Sequence, residues 1–348
     1  MKITKSLFGK TNEGIDVELF TLSNDNQVTV SITNYGAIVT SIVTPDKNGE
    51  LANIACGFDK LENYLSSEYL GSYPYFGCVC GRCCNRIGNG KFTLEGKNYS
   101  LAVNNGANHL HGGLIGYDRR LWTAETIEES KKVGVVLSLL SPDMEEGYPG
   151  NLKVTCTYTL NNYNELSIEY TAETDQTTIV NLTNHTYFNL TGGKENILNH
   201  ELELTSASFT DSADMIPTGE ITSVIGTPNN FLTKKKLGKD IAALENGYDL
   251  NFVIDKEKGE MVQAGFLCEE TSGRSVEVFT TQPGIQLYTG YWIPELTIDG
   301  KKKFGKYMGV ALETQHYPDS VNKPQFPPVT LAPEQKFYEK TTYIFGTI

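Results

Sequence analysis

No stretch of about 18 apolar residues occurs anywhere in the chain, so a transmembrane helix is not expected. The opening segment Met1-Lys2-Ile3-Thr4-Lys5-Ser6-Leu7-Phe8-Gly9 lacks the apolar run of a secretory signal, and a cytoplasmic location is the expectation. Basic residues are in deficit. The 29 Lys and Arg against 42 Asp and Glu leave a formal charge of −13, which argues against nucleic acid and anionic membranes as partners. Cysteine is present but badly arranged for a disulfide framework. There are seven, an odd number, and four crowd into Cys78-Val79-Cys80-Gly81-Arg82-Cys83-Cys84. Secreted scaffolds spread their cysteines along a short chain, so free thiols in a reducing compartment are expected. A zinc cluster of Cys78, Cys80, Cys83 and Cys84 is disfavoured, because the spacing is too tight for two ordinary zinc knuckles. Aromatic residues are not scarce: 19 Tyr and 15 Phe among 348 residues exclude a disordered chain.

Helical periodicity is also in short supply, and the dominant period is two. Leu152, Val154, Cys156, Tyr158 and Leu160 alternate with polar residues, as a half-buried strand requires. The turn Asn161-Asn162-Tyr163-Asn164 follows, and Leu166, Ile168 and Tyr170 resume the alternation, which predicts a hairpin. Strand signals recur at Val28–Ile32, Lys91–Leu94, Asn98–Leu101, Val133–Leu140, Ile179–Leu182, Leu202–Leu204, Ser275–Phe279 and Met308–Leu312. Only Leu61–Leu65 and Leu237–Leu244 suggest a few helical turns. No Pro/Ser-rich linker, charge block or repeat divides the chain. The expected fold is all-β: a large antiparallel β-sandwich forming a single domain over residues 1–348.

Five segments carry polar groups that an ordinary strand does not need. In Gly81-Arg82-Cys83-Cys84-Asn85-Arg86-Ile87, two arginines and an asparagine at a strand end suggest a cleft, against the alternative of a solvated basic turn. In Asn108-His109-Leu110-His111-Gly112-Gly113, a strand would set both histidines on one face, where they could meet a ligand or a metal, and the glycines would let backbone approach a ligand closely. A structural role competes for an isolated His-x-His. In Asn184-His185-Thr186-Tyr187-Phe188-Asn189-Leu190, aromatic and hydrogen-bonding residues surround His185, as a sugar site would need; a buried core histidine is the alternative. Asp249, in Gly247-Tyr248-Asp249-Leu250-Asn251-Phe252, also reads as an acidic turn residue. In Leu312-Glu313-Thr314-Gln315-His316-Tyr317-Pro318-Asp319, Glu313 follows the apolar run Val310–Leu312 where the alternation breaks, and is either a capped structural carboxylate or a base raised in pKa by burial. The chain has five histidines, and four lie inside these segments, which favours a functional reading.

Together these segments closely resemble the aldose 1-epimerase (galactose mutarotase) family. The resemblance runs through Gly-Arg-x-x-Asn-Arg-Ile at 81–87, Leu-His-Gly-Gly at 110–113, Glu-Gly-Tyr-Pro-Gly-Asn-Leu at 146–152 and Asn-His-Thr-Tyr-Phe-Asn-Leu at 184–190. It continues through Tyr-Asp-Leu-Asn-Phe at 248–252, Thr-Gln-Pro-Gly-Ile-Gln at 281–286 and Glu-Thr-Gln-His-Tyr-Pro-Asp at 313–319. It implies a large β-sandwich with an open sugar cleft. Glu313 would be the catalytic base and His185 the catalytic acid. Asn85, Arg86, His111, Asp249 and Gln286 would hold the sugar, with His109 as scaffold. Cys83 and Cys84 depart from the small apolar residues expected there, although cysteine packs as a small hydrophobe. The basic run Lys301-Lys302-Lys303 receives no role.

The implied chemistry is interconversion of the α and β anomers of galactose or glucose by acid–base ring opening and closure, with no cofactor and no metal. The expected pH dependence is bell-shaped, bounded by ordinary glutamate and histidine values of about 4.3 and 6.5. Three rivals stay open: a sugar-binding sandwich without catalysis, a hexose-6-phosphate epimerase, and a metal enzyme built on His109, His111 and a carboxylate. Anomer conversion separates the first, cationic groups at the sugar's C6 end the second, and metal content the third.

Overall fold

The computed structural model describes residues 1–298, 300 and 302–348, with side chains for all of these except Lys302; Lys301 of the basic run lies outside the described residues. Every pairing between named strands is antiparallel. The largest sheet has nine strands in the order Thr123–Glu128, Lys132–Ser141, Leu152–Asn161, Glu165–Thr174, Phe337–Thr347, Arg274–Thr280, Val262–Cys268, Glu201–Leu204, Lys235–Lys236. A six-stranded sheet follows the order Tyr187–Phe188, Val310–Gln315, Gly284–Tyr288, Asp249–Val253, Ser208–Ala213, Ile216–Ser223. A five-stranded meander, Lys2–Lys10 to Leu51–Asn53, completes the main layers. The inner faces of all three sheets meet in one apolar cluster that includes Val30, Val154, Tyr158, Val276, Leu287, Leu312 and Tyr343. Phe188 of the six-stranded sheet packs edge-on against Tyr343 of the nine-stranded one at 5.2 Å, and the Tyr343 hydroxyl donates to the Leu312 carbonyl at 3.1 Å. This is the expected antiparallel sandwich.

The hairpin at 152–174 forms as its alternation predicts. Leu152, Val154, Cys156, Tyr158 and Leu160 are fully buried while Lys153 is exposed. Asparagine chemistry makes the turn: Asn161 Oδ1 accepts from the Tyr163 and Glu165 amides at 2.8 and 3.2 Å, and Asn164 takes a left-handed φ of 61°. Two expectations need correction. The apolar run 179–182 is not one strand. Thr178–Ile179 pairs with Thr330–Leu331 and Thr183–Asn184 with Val79–Cys80, so the segment changes partners midway. Segment 237–244 holds a single 3-10 turn, Ile241–Ala243. Its would-be first turn is drawn into bonds to a distant segment instead, from Leu237 N to His200 O and Gly238 N to Leu198 O. The helix near residue 61 is real but short, Leu61–Tyr64, and a second, Ser67–Ser72, follows it.

The six-stranded sheet shows how a strand can be buried on both faces and still have two characters. Val310, Leu312, Ile285, Leu287, Phe252 and Phe188 point into the main core. The alternate residues Ala311, Glu313 and Gln315 point the other way, as do Gln286 and Tyr288, Asp249 and Asn251, and Tyr187. The register sets Gln286 opposite both Glu313 and Asn251, and Tyr288 opposite Asp249 and Ala311. The alternation at Glu313 therefore does not break. The strand continues to Gln315, and a carboxylate occupies a position on the face away from the core.

Candidate active site

That face forms the floor of an open cleft of about 700 Å³. Asn85, Arg86, His111, His185, Asp249, Gln286 and Glu313 all line it, so the seven residues singled out by sequence converge. Tyr75, Tyr187 and Tyr288 add aromatic walls, and Trp292 stands 59% exposed at the rim. Sequence reasoning assigned no role to Tyr75, Tyr288 or Trp292, and read Tyr187 as one of the aromatic neighbours that suit a sugar site around His185. Tyr288 had a readable signal, since it lies two residues from Gln286 on the same strand face.

His185 is held by its backbone from both sides. Its amide donates to Cys78 O at 2.8 Å, and its carbonyl accepts from Gly77 N at 3.0 Å. Asn184 ties the same turn down through Gly77 O and the Tyr158 hydroxyl at 2.8 and 3.2 Å. The imidazole stacks between the rings of Tyr187 and Tyr75, at 4.8 and 6.0 Å. Its Nε2 lies 3.5 Å from Glu313 Oε2, with both side chains almost wholly buried. Neither His185 Nδ1 nor Glu313 Oε2 has a hydrogen-bond partner. The Glu313 oxygen, on a residue that lines the cleft, thus keeps acceptor capacity that a polar ligand could use.

Burial sets the charges here. It pushes the Glu313 carboxyl well above its ordinary value, helped by the Asp249 carboxylate and opposed by Arg86. It pushes His185 down to about 3. Between the lowered His185 value and the raised Glu313 value the pair therefore holds one proton, on the carboxyl side. This reverses the order expected from unperturbed values. The main cause is desolvation, which needs the folded surroundings to be seen.

His111 is not a strand partner of His109. The pairing of His109–Leu110 with Arg86–Ile87 stops there, and His111 adopts a left-handed φ of 50°. His109 turns away and is scaffold, with its ring nitrogens bonded to Ala102 O at 2.7 Å and the Tyr148 hydroxyl at 2.6 Å. His111 faces the cleft, and its Nδ1 accepts from the Asn85 amide at 3.2 Å. Burial, His185 and Arg86 hold its pKa well below the usual range. A neutral ring that accepts at Nδ1 carries its proton on Nε2, so His111 offers a donor to the cleft. His111, His185 and Glu313 are also the one group among the described residues whose ligand atoms, all within 4.8 Å of one another, could hold a metal. His109 is outside that group, which removes the ligand set of the metal rival.

The 81–87 motif divides its two arginines. Arg86 faces the cleft, bonded through Nε to Asn105 Oδ1 at 3.0 Å and 4.0 Å from Asp249. Arg82 is 1% exposed and turns away, donating to the Pro149, Gly150 and Ser141 carbonyls at 2.8, 2.9 and 3.2 Å and to the Ser141 hydroxyl at 2.6 Å. Motif 146–152 is thus what Arg82 and His109 grip, and it is scaffold. The four clustered cysteines are free, buried thiols. Cys83 packs in a different apolar cluster from Cys78, Cys80 and Cys84, so they do not converge on one point.

Of the two glycines after His111, Gly113 lines the cleft, while Gly112 serves packing. Gly112 has a φ of 91°, and a Cβ there would fall 1.8 Å from the Gly81 carbonyl oxygen. Gly112→Ala is expected to cost about 2 to 4 kcal/mol of stability through overlap and backbone strain. A thermal melt checks this; an unchanged midpoint would mean the loop relaxes freely.

A sequence model of the family described as aldose 1-epimerase matches residues 18–344. The chain is 44% identical over 352 aligned positions to the galactose mutarotase of Bos taurus, covering 99% of both. It is 30% identical over 341 positions to the aldose 1-epimerase of Escherichia coli (strain K12), covering 96% of both. Among solved structures, galactose 1-epimerase from Lactobacillus acidophilus NCFM matches with a TM-score of 0.85 at 29% identity, covering 99% of both chains.

Proposed function

The chain belongs to the aldose 1-epimerase family, and on that premise we propose that Glu313 and His185 carry the proton transfers while Asn85, Arg86, His111, Asp249 and Gln286 hold the sugar. The enzyme is an isomerase acting at the anomeric carbon. The observation that carries the residue assignment is the 3.5 Å approach of two buried, under-bonded groups of opposite acid–base character in a polar cleft.

Opening the hemiacetal requires loss of the O1 proton and gain of a proton at the ring oxygen O5. Glu313 as carboxylate takes the first, and His185 as imidazolium gives the second. The C1–O5 electron pair leaves to O5 as the C1–O1 carbonyl forms. Rotation about C1–C2 presents the other face, and closure returns each proton to its donor. The single proton of the resting pair suffices for this cycle. Reaching the reactive arrangement needs it to move from Glu313 to His185, which sugar hydroxyls donating to the carboxylate favour. Asp249 lies beside Gln286 on the floor with Arg86 next to it, where both suit the non-reacting hydroxyls, and His111 adds its Nε2 donor. Aromatic walls at Tyr75, Tyr187 and Tyr288 suit the CH faces of a pyranose.

We take D-galactose and D-glucose as the substrates, a reading supported by the galactose mutarotase relatives. Polarimetry on anomerically pure α-D-galactose, α-D-glucose and α-D-glucose-6-phosphate tests it. Catalysed decay of rotation with the two free sugars is expected, with little on the phosphate. A preference for the phosphate would move the substrate assignment, and no catalysis on any of them would overturn the proton-transfer roles. We also place the protein in the cytoplasm and treat 1–348 as one folding unit. The buried free thiols support the first and the continuous core the second. No helix among the described residues is long and apolar enough to cross a membrane. Cell fractionation and the cooperativity of unfolding decide these two points.

A further inference from the structure

Gln286 lines the cleft, but its orientation is decided behind it. A glutamine amide has a donor end and an acceptor end of nearly equal size, so only its partners choose which way it points. Gln286 Nε2 donates to Asp249 Oδ1 at 2.6 Å. Its Oε1 accepts from Gln315 Nε2 at 3.4 Å. Gln315 Oε1 in turn accepts from the Cys84 thiol at 3.3 Å. Burial pushes that thiol well above its usual range, so it keeps its proton and serves as a donor. The three bonds run in one direction, from Cys84 through Gln315 and Gln286 to Asp249, whose other oxygen faces Arg86 at 4.0 Å.

Gln315 is fully buried, and neither it nor Cys84 lines the cleft. Its strand partner across the register is Gly284, where a Cβ would fall 2.5 Å from Asn251 Oδ1. A reversed Gln286 would present its carbonyl oxygen to the Asp249 carboxylate, acceptor against acceptor.

We propose that Gln315 is a positioning residue for sugar binding: from behind the cleft it fixes the orientation of the Gln286 amide and, through it, of Asp249. Cys84 sets the polarity of Gln315. The proposal rests on the reading above that Gln286 and Asp249 hold the sugar. It also gives Cys84, a departure from the family pattern, a role in the chain of contacts.

The test is a double-mutant cycle on the full-length enzyme with α-D-galactose. Gln315→Met keeps the volume and removes both hydrogen bonds. It is expected to raise KM about 5- to 10-fold with kcat within about twofold, since the reacting groups are untouched. Gln286→Ala is expected to raise KM about 30-fold. The double variant is then expected to match Gln286→Ala within about twofold, because Gln315 has no one left to orient. Cys84→Ala should raise KM about threefold, with Cys84→Ser, which keeps a donor, recovering most of the loss. If Gln315→Met does not fold, Cys84→Ala crossed with Gln286→Ala carries the same cycle. Additive effects in the double variant, or a fall in kcat at constant KM, overturn the positioning role alone. A normal KM in Gln286→Ala overturns the site assignment and this proposal with it.

Discussion

Glu313→Gln is expected to lower turnover by about 10² to 10⁴-fold, keep most galactose affinity and raise the melting temperature. The substitution retains size and hydrogen bonding and removes only the ionisable oxygen. Without a carboxylate the O1 proton has no acceptor, so ring opening loses its base. The stability gain follows from where the carboxyl sits. Burial lifts its pKa well above the ordinary 4.5, so in a pH window above 4.5 the folded chain holds a proton that the unfolded chain has released. Stability from this group is full below about pH 4.5 and is lost as pH rises through the folded value. Glutamine has no such loss, and a gain of about 2 °C at neutral pH is expected. Initial-rate polarimetry, galactose binding by calorimetry and a thermal melt read all three. Near-native turnover sinks the base assignment, and a lower melting temperature sinks the account of its burial.

His185→Asn is expected to remove most activity, by about 10² to 10⁴-fold, and to change the shape of the pH profile. In the wild-type enzyme the reactive pair carries one proton. Below about pH 3 His185 gains a second, and above the raised Glu313 value the pair has none. The expected profile of kcat/KM is therefore a plateau, with an acid limb near pH 3 and a basic limb well above the ordinary carboxyl range. Asparagine can bond O5 but cannot give it a proton. What activity remains depends on Glu313 as carboxylate, so it should rise through the pH region where the wild type falls. A single profile shape for both enzymes would assign the acid elsewhere, and His111 is the next candidate. The fold carries its own record of this histidine. Its lowered pKa contributes stability that is present above about pH 6.5 and is lost as pH falls toward 3. His200, pushed down to about 4, adds to the same acid sensitivity. Melts of His185→Asn should lose part of that dependence.

What was legible in the sequence follows from how each residue is placed. Period-two alternation gave the main sheets because most strands keep one face in the core, as the 152–174 hairpin does. The segment 179–182 misled because its apolar side chains are shared between two partner strands. The seven cleft residues were legible from motifs, but the division of labour inside each motif was not. Arg82 and Arg86 look alike in sequence; only the Ser141 and Pro149–Gly150 carbonyls, brought in from 59 to 68 residues away, show which one is structural. His109 and His111 separate because of a left-handed residue that no alternation rule anticipates. The reversed pKa order of Glu313 and His185 depends on desolvation by walls from at least four segments. Composition holds no trace of it.

The two-faced strand Val310–Gln315 makes the chemistry vulnerable to counting errors. Odd-numbered positions lie on the cleft side of the sheet, where Glu313 lines the cleft, and even-numbered ones on the core side, so function rides on parity. Inserting or deleting one residue within this strand, with the flanking pairs kept in register, would send Glu313 into the apolar core and an aliphatic neighbour into the cleft. A two-residue shift would keep the faces but bring Ala311 or Gln315 to the catalytic position. Neither error can be repaired by side-chain motion. Point substitutions around the cleft can therefore tune the enzyme in steps, whereas length changes in this strand are all-or-none.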